Sequence, residues 1–310
     1  MNASTAIGTT ATAEAGVAYV GRFAPSPSGA LHLGSLTTAA ASFLDARHCG
    51  GRWLLRIEDL DAPRVVPGAA DGIARTLENL GFSWDGPVIH QAQRLALYQQ
   101  ALDELGRQGQ TYSCSCSRRD RGGSDDTGGY GGTCRQGPTR PGPVATRFRA
   151  DLNPVPDFAD RLQGPCGPGQ AAAGDPILRR RDGLYAYQLA VVVDDAEQQV
   201  TDIVRGADLL PSTGWQRSLQ RALRLPAQRY AHLPLVCEAN GSKLSKSAHA
   251  VSGATAGASG LLWRVLSMLR QGPPPELRGA GTAELWRWAI PHWRLEPLRG
   301  LARIDAEQRQ

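Results

Sequence analysis

The stretch from Val17 to Asp59 constrains the fold most, because few architectures accommodate its order of elements. Val17 to Phe23 is a short β-compatible run that enters a turn-rich stretch of Pro25, Ser26, Pro27, Ser28 and Gly29. From Leu33 the apolar residues Leu36, Ala40, Phe43 and Leu44 recur at helical spacing until Gly50 and Gly51 end the element. Arg52 to Asp59 (RWLLRIED) then has the composition of a buried strand. Two strands joined through a helix pair in parallel, so this unit predicts an α/β domain with covered sheet faces.

The rest of the chain extends that pattern. A helix is expected from near Pro67, with Ile73, Leu77 and Leu80 on one face, and another from about Gln93, with Leu95, Leu102 and Leu105. A second α/β stretch begins near Leu184. There Tyr187 to Val193 (YQLAVVV) is strand-like, Val200 to Val204 predicts another strand, Thr213 to Leu223 a helix, and Leu233 to Cys237 leads into a loop. Beyond Gly260, LLWRVLSMLR and AELWRWAI predict two or three helices, broken by Gly272 to Pro275. The fold expected is a doubly wound parallel sheet, with halves Val17 to about Leu105 and about Leu184 to Cys237 and a nucleotide at the C-terminal strand edge. The corresponding division is a flexible leader 1–18, a first catalytic half 19–110, an inserted region 111–183, a second half 184–240 and a helical C-terminal region 241–310.

Composition excludes several classes. With 310 residues, 41% of them hydrophobic, the chain can bury a core that needs no disulfide staple. No run approaches the ~18 apolar residues of a membrane span, and Met1 to Ala18 has neither a basic flank nor an apolar core, so a soluble, unexported, cytoplasmic protein is expected. A net charge of +5 permits an anionic partner but decides little. Among the 34 basic residues, Lys243 and Lys246 are the only lysines. A chain that uses arginine for almost every positive charge and places both lysines in one loop suggests chemistry that needs a compact ammonium.

Three groups of residues carry chemistry. Pro25 to Ser35 (PSPSGALHLGS) lies between a strand and a helix, where unpaired N–H groups and the dipole favour a phosphate, and where His32 and the small Gly34 let a donor and the backbone approach it. Taken alone, this is equally a Pro/Gly-rich turn with a surface histidine. Gly241 to Ser247 (GSKLSKS) presents both lysines and suits an ATP whose α-phosphate gains charge during displacement. Cys114, Cys116 and Cys134 fall within 21 residues, and the segment around them has eight glycines between Gly122 and Gly142 and almost no apolar residue. In a reducing compartment such a cluster suits a metal better than disulfides, and a metal can order a segment without a core. Cys49, Cys166 and Cys237 stand singly and are expected to be inert packing residues.

Taken together, HLGS after a first strand and KLSKS after a late one resemble the paired signatures of class I aminoacyl-tRNA synthetases. GRFAPSPSGALHLGS, LLRIEDLD, YAYQLAVVVDD and IVRGADLL resemble the glutamyl branch, most nearly the truncated glutamyl-Q tRNA(Asp) synthetases, from about Gly21 to Ser247. The resemblance implies that Arg22 and Arg205 hold the carboxylates of glutamate, that Glu58 takes its ammonium, and that Ser26, Tyr187 and the backbone at Ala24 complete the pocket. On the residues alone, Glu58 suits an ion pair with Arg56 or Arg64 equally well, and Tyr187 a core position. It further implies that His32, Gly34, Ser35, Lys243 and Lys246 bind ATP, with His32 and Lys246 catalytic and Lys246 stabilising the pentavalent α-phosphate. For zinc it implies Cys114, Cys116, Tyr130 and Cys134, although Asp125, Asp126 or water also suits the fourth position.

The activity implied is ATP- and Mg²⁺-dependent activation of L-glutamate without tRNA, followed by transfer to queuosine in tRNA(Asp) by a monomer. The rivals are another ATP-dependent nucleotidyltransferase, against which the Arg22, Glu58, Tyr187 and Arg205 set and the cysteine cluster argue, a shortened conventional glutamyl-tRNA synthetase that charges the tRNA 3′ end, and a catalytically silent tRNA-binding protein. The 63 residues after Ser247 are too few for an anticodon-binding region and favour the first reading. In that C-terminal part Arg264, Arg270, Arg278, Arg287, Arg294 and Arg299, with Trp263, Trp286, Trp288 and Trp293, suit either RNA contact or core tryptophans beside solvated arginines.

Overall fold

A computed structural model describes residues 18–117, 120, 130–237 and 257–306. The first unit follows the expected order: β1 (Val20–Phe23), α1 (Leu33–His48), β2 (Arg52–Ile57), α2 (Ala69–Asn79), β3 (Ile89–His90) and α3 (Leu95–Arg107). Strands β1, β2 and β3 form a parallel ribbon in that spatial order. Helix α1 is short on large side chains, and its alanines Ala39, Ala40, Ala41 and Ala46 are fully covered. Small residues let the sheet approach one side of it and the C-terminal helices the other. Ile73, Leu77 and Leu80 are buried as expected, whereas Leu95 is exposed and Tyr98 takes the inward position on α3.

The chain continues through β4 (Thr111–Cys114), β5 (Ala145–Phe148), β6 (Phe158–Asp160), β7 (Gly164–Cys166) and β8 (Ile177–Arg179). Strands β4, β5 and β8 make a separate antiparallel sheet. Within the 111–183 stretch, β6 instead joins the main sheet, pairing in parallel with a later strand through Asp160 and Tyr230. The stretch is thus both an insertion and a supplier of one strand to the catalytic core.

The second unit contains α4 (Tyr187–Glu197), β9 (Asp202–Gly206), α5 (Leu210–Ala222), β10 (Arg229–Leu233) and β11 (Leu235–Cys237). Tyr187 to Val193, expected as a strand, is the first two turns of α4. The run is buried from Leu189 to Asp195, so its apolar residues show no helical period, and β-branched valines outweigh length in a sequence reading. The order β7-β6-β10-β9 gives a second ribbon, parallel from β6 to β9 with β7 antiparallel at its edge. The two ribbons meet at Thr201, whose amide donates to the Val20 carbonyl at 2.9 Å, while the Val20 amide donates to Thr201 Oγ1 at 2.9 Å. Chain order diverges on either side of this seam, which is the switch point of a doubly wound sheet.

Helices α6 (Gly257–Met268) and α7 (Thr282–His292) and strand β12 (Arg303–Asp305), which pairs with β11, close the first core. Trp286 and Trp293 are buried and Trp263 and Trp288 half-buried, while the six arginines of this part are exposed, as the packing alternative requires. Asp45 of α1 is a buried hub: it accepts from Tyr19 Oη, from both Nη atoms of Arg161 and from Trp293 Nε1 at 2.9 Å. Cys166 and Cys237 are buried as expected, but Cys49 is exposed because it lies at the solvent-facing end of α1.

Candidate active site

At the C-terminal ends of β1 and β9 the seam opens into a cavity of about 700 Å³, within the usual range for small-ligand sites. Arg22, Ala24, Ser26, His32, Gly34, Ser35, Glu58, Tyr187 and Arg205 all line it, so nine of the residues singled out from sequence converge there. Lys243 and Lys246, with the rest of Gly241 to Ser247, lie outside the described residues, as do Asp125, Asp126 and residues 1–17.

His32 caps α1: its Nδ1 accepts the Ser35 amide at 3.2 Å, which fixes the ring across the helix N-terminus. Gly34 leaves room for that ring, since a Cβ there would stand 3.1 Å from His32 Cε1 and 3.2 Å from Nδ1 and would press the ring aside by a few tenths of an ångström.

One wall of the cavity is a chain of ion pairs. Arg22 Nε meets Asp195 Oδ1 at 3.2 Å, Arg56 Nη1 meets the same oxygen at 2.8 Å, and Arg56 Nη2 meets Glu58 Oε1 at 3.3 Å. Arg56 is completely buried and also lies 3.8 Å from Asp194. The Glu58–Arg56 alternative is therefore real, but it does not remove Glu58 from the cavity; Arg64 pairs with Asp61 instead. Burial pushes the Glu58 carboxyl up, against the pull of Arg56 and Arg22, and a cationic ligand group beside it would favour its charged form. Burial also works against ionisation of Asp195, yet Arg22 and Arg56 hold that carboxyl below its ordinary range.

A second wall is built around Arg205, which has no ion pair among the described residues. It donates through Nε to His232 Nε2 at 3.1 Å, through Nη1 to Tyr187 Oη at 3.2 Å, and through Nη2 to Thr213 Oγ1 and Gln216 Oε1 at 2.8 Å each. Burial raises the Tyr187 phenol, keeping it neutral. Asp195, His232 and Gln216 were missed from sequence; the acidic pair that ends the valine run and a histidine inside a strand were their only signals.

The cysteines form a second centre. The sulfurs of Cys114, Cys116 and Cys134 lie within 4.8 Å of one another, and Tyr130 Oη lies 3.3 Å from Cys114 Sγ and 3.5 Å from Cys116 Sγ. Tetrahedral zinc with ordinary bond lengths separates its sulfur ligands by ~3.8 Å and sulfur from oxygen by ~3.5 Å, so this donor set fits that ion. The Arg147 guanidinium lies 3.9 Å from the Tyr130 ring centroid and holds the ring in place.

Comparison with known proteins gives the family and the fold. Residues 19–261 match the family of class I tRNA synthetases (E and Q), catalytic domain. A glutamyl-Q tRNA(Asp) synthetase from Aromatoleum aromaticum is 51% identical over 282 residues, covering 89% of each chain. One from Ectopseudomonas mendocina is 50% identical over 281 residues, covering 89% of this chain and 93% of that one. Among solved structures, a glutamate tRNA ligase from Elizabethkingia meningosepticum superposes with a TM-score of 0.75 at 26% identity, covering 94% of this chain and 67% of that one. A parallel sheet split at a switch point, the HLGS helix start and the sequence match together place the chain in the class I tRNA synthetase family of the E and Q type.

Proposed function

We propose that this chain activates L-glutamate with ATP and Mg²⁺ to glutamyl-adenylate, without tRNA, and transfers the glutamyl group to queuosine at the wobble position of tRNA(Asp). The observation that carries this reading is the meeting of Arg22, Glu58, Tyr187 and Arg205 in one cavity beside the His32-capped helix. Relatives about half identical, and named for that activity, support it over a conventional charging enzyme.

In this reading an α-carboxylate oxygen of glutamate attacks the α-phosphorus of ATP, and pyrophosphate leaves with Mg²⁺. A hydroxyl of the queuosine cyclopentene diol then attacks the acyl carbon, and AMP leaves. The protein contributes position and charge. Arg22 and Arg205 receive the carboxylates; Glu58, with Ser26 and the backbone at Ala24, receives the ammonium; and Tyr187 braces Arg205. The N-terminus of α1, with His32, Gly34 and Ser35, receives the nucleotide. Lys246, assisted by Lys243, neutralises the α-phosphate; this assignment rests on the KLSKS resemblance alone. Cys114, Cys116, Tyr130 and Cys134 would hold a zinc ion that ties a glycine-rich segment to β4. The enzyme so read works as a cytoplasmic monomer. No helix among the described residues is long and apolar enough to cross a membrane.

The test is glutamate-dependent ATP–pyrophosphate exchange without tRNA, followed by transfer of labelled glutamate to tRNA that carries or lacks queuosine. Exchange with label only on queuosine-containing tRNA(Asp) is expected. Label on the 3′ end of tRNA(Glu) would make this a shortened conventional synthetase, and absence of exchange would favour a silent binding protein.

A further inference from the structure

Behind Arg205, away from the cavity, lies a buried polar pair that the reaction as described does not use. His232 on β10 is the direct ladder partner of Arg205 on β9, and it is fully buried, as is Asp160 on β6. Three strands thus bring the side chains of Arg205, His232 and Asp160 together, Asp160 being in register with Tyr230 two residues before His232. His232 Nδ1 lies 2.6 Å from Asp160 Oδ2, and His232 Nε2 lies 3.1 Å from Arg205 Nε.

We infer that the Asp160–His232 pair is a positioning device for glutamate binding, holding His232 as the Nδ1–H tautomer so that the Nε2 lone pair fixes the Arg205 guanidinium. The inference rests on the assignment of Arg205 to the glutamate pocket. Its chemical logic is restrictive. An arginine Nε–H only donates, so the ring nitrogen facing it must be unprotonated, and the ring proton then sits on Nδ1, facing a carboxylate that only accepts. A doubly protonated ring would turn a donor towards Arg205 and place two cations side by side.

The surroundings keep the ring neutral. The titratable and charged groups facing it are Asp160 from β6, Arg205 from β9, Arg22 from β1 and Tyr230, stacked on it at 5.8 Å from β10. Burial, with the positive charges of Arg205 and Arg22, outweighs the pull of Asp160 and brings the His232 pKa down to about 4. Asp160 is itself locked in orientation: its Oδ1 accepts the amides of Leu162 at 2.9 Å, Gln163 at 2.8 Å and His232 at 3.2 Å. Only Oδ2 faces the ring.

That lock makes an isosteric substitution informative. In Asp160→Asn the amide oxygen stays with the three backbone donors, so the NH₂ group faces His232 Nδ1. The ring must then carry its proton on Nε2, where it opposes the Arg205 Nε–H donor against donor and has only Thr213 Oγ1, 3.1 Å away, as an acceptor. Loss of a hydrogen bond to a charged group of this kind is worth about 10- to 100-fold in ligand binding.

The experiment uses the full chain. ATP–pyrophosphate exchange is titrated with glutamate and, separately, with ATP for wild type, Asp160→Asn, Arg205→Ala and the double variant, and ¹⁵N imidazole NMR reports the His232 tautomer. The expected result is a swapped tautomer in Asp160→Asn, a KM for glutamate raised about 10- to 100-fold with the KM for ATP unchanged, and no further rise when Asp160→Asn is added to Arg205→Ala. Equal rises in both KM values, additive effects in the double variant, or an unswapped tautomer would overturn the inference. If Arg205→Ala leaves the KM for glutamate unchanged, the pocket assignment fails with it; a swapped tautomer without kinetic effect distinguishes that outcome. Should Asp160→Asn not fold, His232→Ala leaves Asp160 its backbone donors and tests the same KM split. The wild-type spectrum must still show a neutral ring protonated on Nδ1.

Discussion

The two walls of the cavity use arginine in opposite ways. On one, Arg22 and Arg56 are compensated by Asp195 and Glu58, and Arg56 is buried beneath three acids. On the other, Arg205 is held by a phenol, a hydroxyl, an amide and a neutral imidazole. Carboxylate partners spend an arginine's charge inside the protein, whereas neutral acceptors fix its direction and leave the charge for a ligand. One wall presents Arg22 and Glu58 to the cavity with much of their charge already met by Asp195 and Arg56, and the other keeps the charge of Arg205 unpaired among the described residues.

That contrast is open to direct attack, beginning with its largest consequence. Arg205→Ala should cost about 10²- to 10³-fold in kcat/KM for glutamate-dependent exchange, with a smaller fall in the urea midpoint than loss of the Asp195 carboxylate causes. A large fall in stability with modest kinetic loss would reverse the assignment of the walls. Asp195→Asn should do the opposite, because it leaves Arg22 and Arg56 facing each other without their shared carboxylate. A stability loss of about 3–5 kcal/mol is expected from urea unfolding.

Acid should expose a smaller difference. The unfolded chain protonates His232 near its ordinary pKa of 6.5, but the folded ring resists until about 4. The unfolded state therefore binds more protons across that window, and stability falls as pH drops from 6.5 to 4, by roughly 3 kcal/mol from this residue. Glu58, whose carboxyl is raised by burial, works in the opposite sense at the lower end. Comparing urea midpoints of wild type and His232→Ala at pH 7 and 4.5 isolates the histidine, and equal slopes would remove it. The smallest effect concerns the cysteine centre. Tyr130→Phe should keep one zinc per chain but shorten its retention against a chelator by about tenfold. Unaltered retention would give the fourth position to another donor.

Much of this arrangement was legible in sequence, for identifiable reasons. β1, α1 and β2 each carry an unmixed local pattern punctuated by proline and glycine, and their ends place His32, Arg22 and Glu58 within one cavity. The misread element, α4, is covered from Leu189 to Asp195, and covering erases the polar face that identifies a helix. β6 was missed because three residues paired to a strand some seventy positions later leave no local trace. Asp160 and His232 were missed on the same ground: each is a single polar residue whose partner is set by strand order. Patterns along the chain therefore located the residues that touch a ligand better than those that hold them.

The Asp45 hub also governs when this protein can become itself. Trp293 reaches Asp45 across 248 positions, and Trp286 donates to the Leu80 carbonyl across 206. Helix α1, whose N-terminus opens on the cavity, is thus packed against helices more than two hundred positions further along the chain. A nascent chain that has emerged only as far as β10 would expose the flank of α1 that α6 and α7 cover. Loop-closure entropy must be met before those contacts reward it, so the first half cannot mature ahead of the rest. Assembly of the active centre therefore waits for α6 and α7, and a nascent chain stalled before them is an aggregation hazard rather than a partly working enzyme.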